Sequence, residues 1–258
     1  MTNTTQTFWD INGVSLNTYA YNISTLGGGR TNVPALRGDN ITVPYRRGEV
    51  FISKIADSRD ITLGMWVSGN DEAGLPPADG NIEAQWQANL DKLRNLMWTE
   101  VNELTLRKRF WRGGSIVSAT AQVQFTRGLE PAMDTVGLSK VTATFHLADP
   151  FFYGAEEEIG FSDETIVVAV NGDVSTQYIT LDIGAGVEMV NQAPSPDISI
   201  SSSVAASLDV RSRRVNGISS PALVTTSGSD QWFSLYPGNN TIVCNNGDAT
   251  MTYRPAYF

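Results

Sequence analysis

His146 is the only histidine of the chain and stands in the run FHLADPFFYG, Phe145 to Gly154. Imidazole is the commonest general base, so the residue types around it decide whether it does chemistry. Acyl transfer needs a nucleophile held in a strained turn beside the base, and the chain has no G-x-S-x-G. A zinc site needs several nitrogen or sulfur ligands, and only Cys244 joins the one histidine. In KVTATFHL the alternation puts His146 on the face of Thr142 and Thr144. Val141, Ala143, Phe145 and Leu147 take the other face, so His146 reads as a surface or interface residue.

Other residue sets hold less chemistry than their types promise. Glu156, Glu157 and Glu158 are adjacent like charges that cannot converge on one bond or one metal, and they read as a solvated connector. Two facing carboxylates would serve glycoside hydrolysis, but 27 acidic residues offer too many pairs for the sequence to single one out. Gly27-Gly28-Gly29-Arg30 lacks the Lys-Ser/Thr and helix of a phosphate loop and reads as a turn. RKRFWR, Arg107 to Arg112, mixes phosphate-binding and base-stacking residue types. On a strand its charges divide between two faces, and a subunit interface or a cation–π pair with Trp111 explains it equally well. In QWFSLYP, Trp232, Ser234 and Tyr236 share a face. Trp232 and Tyr236 either stack on a sugar or close the end of a β-sandwich.

The elements that must position these residues are mostly short strands. Asn12-Gly13 marks a hairpin in FWDINGVSLN. NITVPYRRG, EVFISKI, DITLGMWV, VNELTLRKRF, SATAQVQF and KVTATFHL follow as strands. Ile61, Leu63, Met65 and Val67 alternate inward, and so do Leu104, Leu106 and Phe110. One segment has a helical period. Ile82, Trp86, Leu90, Leu93 and Met97 predict an amphipathic helix capped by Asn81, with Glu83 in its first turn. The loop SGNDEAGLPPADGN leads into it. Beyond Gly154, TIVVAV, QYITLDI, PDISIS, ASLDVRS, QWFSLY, NTIVCN and ATMTYRP read as strands of a jelly-roll sandwich. The last of them predicts a strand over Ala249 to Arg254, with Ala256 to Phe258 packing back.

Composition divides the chain at the same place. Through Pro150 there are 14 Lys/Arg and 15 Asp/Glu, a net of −1, and from Phe151 there are 4 and 12, a net of −8. The whole chain of 258 residues carries −9, which excludes adhesion to nucleic acid by bulk charge. A single cysteine fits folding in a reducing cytoplasm. The N-terminus does not read as a signal peptide, and no apolar run approaches the roughly 18 residues of a membrane helix.

Four stretches in order carry a family resemblance: Val33 to Val67, the loop and helix after it, FHLADPFFYG, and LYPGNNTIVCNNGDATMTYRPAYF from Leu235 to Phe258. Together they resemble the distal tail protein (Dit) family of long non-contractile-tailed phages, also called siphovirus-type tail component or minor tail protein. The resemblance covers most of the chain.

It implies a mainly β protein of two domains. Residues 1–154 would be a tail-tube-like β-sandwich or split barrel with one flanking helix, and 155–258 a galectin-like jelly-roll sandwich. Six copies would form a hub ring joining the end of the tail tube to the tip or baseplate, with partners in the tube protein and a tip or tail-associated lysin-type protein. Genomic DNA would pass the bore without specific binding. The location implied is the distal end of the virion tail, after assembly in the host cytoplasm, with no cofactor, no metal, no membrane insertion and no enzyme activity. Arg37, Arg46 and Arg47, on an extended arm, and Pro150, Phe151, Phe152 and Tyr153, at the domain junction, are the ring and interdomain contacts expected. Two other classes stay open: a carbohydrate-binding adhesin working through Trp232 and Tyr236, and a hydrolase of envelope polymer.

Overall fold

A computed structural model describes residues 7–23, 33–38, 41–42, 49–50, 55–98, 103–135, 137–192, 198–212, 214–216, 224–226 and 233–258. The chain divides into two compact units, Met1–Phe152 with Phe258, and Tyr153–Tyr257.

The first unit contains β1 (Phe8–Ile11), β2 (Val14–Ser15), β3 (Tyr21–Ile23), β4 (Leu36–Arg37), β5 (Ile41–Thr42), β6 (Glu49–Val50), β7 (Ile55–Ala56), β8 (Arg59–Ser68), α1 (Ile82–Met97), β9 (Leu104–Arg112), β10 (Ser115–Gly128), β11 (Ala132–Thr135) and β12 (Leu138–Leu147). Its main sheet runs β2-β1-β9-β10-β12-β8-β3, with β11 on β12. The β1–β2 turn has Asn12 at φ 47° and Gly13 at φ 83°, the left-handed pair that a two-residue hairpin needs. Period-2 alternation builds the core. Ile61, Leu63 and Met65 of β8 lie opposite Phe145, Ala143 and Val141 of β12, all buried.

The helix forms as its period predicts. The Asn81 side chain accepts from the Ala84 N–H at 3.0 Å, and Trp86, Leu90, Leu93 and Met97 are buried. Two polar contacts fix its placement. Trp86 Nε1 donates to Ser139 Oγ at 3.0 Å, and Asn89 Nδ2 donates to the carbonyls of Ser68 (2.8 Å) and Asn70 (2.7 Å). Ile82 departs from the expected stripe and is 42% exposed. It begins the helix and covers Gly69 and Gly137, where an added Cβ would come within 2.4 and 2.3 Å of its Cγ2.

Strand β13 (Phe152–Tyr153) spans the division. The second unit holds β14 (Glu157–Ser162), β15 (Thr165–Val170), β16 (Ile179–Ile183), β17 (Glu188–Asn191), β18 (Ile198–Ser202), β19 (Ala206–Asp209), β20 (Arg214–Asn216), β21 (Val224–Thr226), β22 (Gly238–Asn245), β23 (Asp248–Tyr253) and β24 (Ala256–Tyr257). Two five-stranded antiparallel sheets, β14-β23-β16-β19-β20 and β15-β22-β17-β18-β21, enclose one core. The chain crosses between them repeatedly, as in a β-sandwich of Greek-key type. Phe161, Leu181, Leu208 and Met251 meet Val168, Met189, Ile200 and Ile242 there.

Two expectations fail. Glu156 to Glu158 are not a connector: Glu157 and Glu158 begin β14, which pairs with β23 from Glu157↔Tyr253 to Ser162↔Asp248. An edge strand tolerates exposed carboxylates, and Phe161 supplies its buried side. QWFSLY is not a strand where it is described; it contributes the isolated bridge Leu235↔Thr176. Side-chain amides replace the ladder there. Asn240 donates to the carbonyls of Tyr236 (2.8 Å) and Gly238 (3.1 Å) and accepts from the Tyr236 N–H at 2.9 Å. Asn191 donates to Ser234 O at 2.8 Å and to Asn240 Oδ1 at 3.1 Å.

Candidate functional site

The run that holds His146 ends on a group of stacked cations and rings. Leu147 ends β12, Pro150 is buried, and the Phe151 N–H reaches Asp149 Oδ1 at 3.3 Å. Phe152 is fully buried, edge-on to Trp9 at 5.8 Å. The Lys108 ammonium stands 4.5 Å from its ring centroid and the Arg59 guanidinium 5.9 Å. Both cations are almost wholly buried, and desolvation lowers the Arg59 pKa. Lys108 also donates to the Phe258 carbonyl and lies 4.9 Å from the Phe110 ring. Phe258 itself meets Phe151 at 6.2 Å. Phe151 and Phe152 therefore belong to the first unit.

Tyr153 belongs to the second. Its ring lies 5.0 Å from that of Tyr178, and Arg211 stands over both, at 5.7 and 4.8 Å. Arg254 stands over Tyr178 at 5.2 Å, with its Nε 3.6 Å from Glu156.

Within the basic run of β9, Arg107 and Arg109 share one buried acid. Arg107 Nε reaches Asp10 Oδ2 at 2.9 Å and Arg109 Nε reaches it at 3.3 Å, with Asp10 only 2% exposed. Arg109 stacks on Phe8 at 5.7 Å. Trp111, expected in a cation–π pair or at a subunit interface, is 44% exposed, and Lys108 and Arg109 stand over the rings of Phe8, Phe110 and Phe152. Asp10 is the residue that sequence reading missed. Its only signal is an acid inside the apolar strand FWDI.

Among the described residues, the remaining expected site residues do not converge. His146 Nδ1 lies 2.8 Å from Asp60 Oδ1 on a partly exposed sheet face. Arg37 is exposed on β4, opposite Ile55. Tyr236 is partly buried against the sandwich core. Arg46, Arg47, Trp232 and the Gly27–Gly29 turn lie outside the described residues. Among the described residues, no three of His, Cys, Asp or Glu are placed to hold a metal ion. No helix among them is long and apolar enough to cross a membrane.

No protein-family model matches the sequence, and no curated protein does. Solved structures match in fold. The Dit protein of phage SPP1, described as a paradigm of the hub adsorption apparatus in phages infecting Gram-positive hosts, matches over 98% of this chain and 100% of its own. Its TM-score is 0.62 and its identity 15%. Chains of the phage P2 baseplate in its activated conformation match more distantly. With Ca the TM-score is 0.42 at 8% identity, over 97% of this chain and 98% of that one. With Sr it is 0.38 at 9%, over 96% and 98%. The mainly β, Dit-like fold anticipated from the sequence is the one observed.

Proposed function

We propose that this chain is a structural hub of a phage tail: a homohexameric ring that joins the distal end of the tail tube to the tip or baseplate. One observation carries the reading. The chain shares its fold with SPP1 Dit over 98% of its own length and 100% of the other's, so the match takes in both units. In this reading the first unit, about residues 1–154, forms the ring, and the galectin-like second unit, about 155–258, projects from it. The tube protein binds one side of the ring, and a tip or lysin-type protein binds the other. DNA passes a bore that it does not grip: the first half of the chain is near neutral and the second is acidic, which keeps a polyanion free to slide. Arg37, Arg46 and Arg47 serve as ring contacts. The chain has no catalytic role here, works at the distal end of the virion tail, and assembles in the host cytoplasm.

Purified chain mixed with the tube protein of the same phage tests this. Gold-labelled chain should decorate one end of each tube. Label scattered along the tube walls, or none bound, would overturn the reading.

A further inference from the structure

Among the described residues, the two sheets of the second unit end on β14, β20, β15 and β21. Three of these edges are guarded. β14 carries exposed Glu157 and Glu158 at its start. β20 and β21 are three residues long, and β20 carries exposed Arg214. Charge and shortness both keep an edge from adding a foreign strand. β15 has neither guard. It reads Thr-Ile-Val-Val-Ala-Val, six residues without charge, glycine or proline, and it pairs along its whole length with β22.

The register shows which backbone groups of β15 are open. The Cys244 N–H donates to Glu164 O at 2.9 Å, so these two residues form a hydrogen-bonded pair of the antiparallel ladder. Such pairs recur at every second residue. Ile166, Val168 and Val170 therefore bond to β22, and the N–H and C=O groups of Thr165, Val167 and Ala169 point to the outer edge. No described residue bonds them there. Val168 and Val170 are buried in the sandwich core, which holds the strand in place. Ile166 is only partly buried against that core, and Val167 is 59% exposed on the opposite face. A strand added at this edge would find apolar surface on both of its faces.

Charge says what kind of segment fits. From Phe151 onward 4 bases cannot answer 12 acids. Three exposed acids lie at the start of β15. Burial first, and behind it the charges of Asp163, Asp248 and Glu164, push up the pKa of the Cys244 thiol on β22. Asp163 accepts from the Gly247 N–H at 2.7 Å and Glu164 from the Ser162 N–H at 3.3 Å, neither of which carries a charge. Among the described residues, no Lys or Arg forms an ion pair with any of the three. We propose that β15 takes up an extended segment of another protein, added beside it as a further strand of its sheet, apolar at alternate positions and basic at its ends. Main-chain hydrogen bonds to Thr165, Val167 and Ala169 hold it, and the acidic surface selects its flanks. A second copy of this chain would instead set one acidic surface against another. The site belongs to the second unit alone and does not depend on ring formation.

Amide hydrogen exchange on the full chain tests it, with a synthetic peptide of about ten residues as the probe, alternating Val and Thr with Lys at both ends. In the chain alone, the amides of Val167 and Ala169 should exchange fast and those of Ile166 and Val168 slowly. With the peptide at about ten times its dissociation constant, exchange at Val167 and Ala169 should slow about tenfold. Val167→Pro removes one outward N–H, which an edge strand tolerates, and should abolish the protection of Ala169. Slow exchange at Ile166 and Val168 in that variant shows that it folds, and the result on the parent chain decides even where it does not. Four outcomes would overturn the proposal: no protection by the peptide, equal protection by a peptide with Glu in place of Lys, protection that survives Val167→Pro, or protection in the chain alone that grows with its concentration. The last would put a second copy on the edge.

Discussion

Tyr253 has one of the shifted titrations of the second unit. Its hydroxyl donates to Glu157 Oε2 at 2.5 Å, across the β14–β23 pair. Burial first, then this bond to a carboxylate, raises its pKa well above the ordinary phenol value of 10.0. The folded state thus holds the proton more tightly than the unfolded chain. The resulting stability is full below the unfolded pKa of about 10 and is lost as pH rises above it. The midpoint of denaturant unfolding should fall as pH is raised past about 10, and Tyr253→Phe should flatten that slope. An equal slope in the variant would mean that another group sets the alkaline limit. His146 behaves differently. It faces Asp60 across a sheet whose opposite side is the core, so His146→Ala should leave ring assembly and infectivity intact. Loss of infectivity with rings still formed would give it a role beyond this surface pair. The placement of His146 was legible from alternation. The burial of Lys108 was not: on the Leu104–Leu106 face a cation breaks the apolar pattern, and the Phe152 ring and Phe258 carbonyl that help to make it tolerable are distant in sequence.

Elements were legible where one periodicity ruled a whole segment. β8, β12 and α1 each have one core face, and burial of that face decides both their type and their register. β14 was missed because like charges dominate its start, while its inward Phe161 comes only near the end. QWFSLY was misread because its alternation is real but its hydrogen bonds go to the side chains of Asn240, four residues on, and of Asn191, which is remote in sequence. The C-terminal segment came out in part: β23 spans Asp248–Tyr253 as the sequence predicts, whereas Ala256–Tyr257 form β24 outside the sandwich core and Phe258 groups with the first unit instead of packing back. Tyr257 is 3% exposed. Burying one such side chain stabilises by roughly 1.5–3 kcal/mol. Removing Ala256 to Phe258 should lower the melting temperature by several degrees, since about 1 kcal/mol shifts a domain of this size by some 4–8 °C. An unchanged melt would show that these residues add nothing to the core. The pairing of β14 along its whole length carries a further expectation. Proteases should spare Glu157 to Ser162 in the folded chain, and rapid cleavage there would contradict the strand.

At the scale of the whole molecule, the chain combines a helix-flanked sheet and an acidic β-sandwich in one order. Bulk charge was legible from the sequence, as was the change in composition near Pro150. A cleft of the first unit, about 380 Å³ and lined by Trp98, Phe125 and Leu129 among others, was not, because it joins the end of a helix to the bulged end of β10. A ring is the assembly that a tube end demands, since a closed heterologous contact repeats one subunit around the axis of the tube. Negative-stain images of the purified chain, alone and with the tube protein, test that claim most directly. Class averages should show rings with six-fold symmetry, free in solution or capping tube ends. Single, unassembled chains in both samples, with bare tube ends, would contradict it.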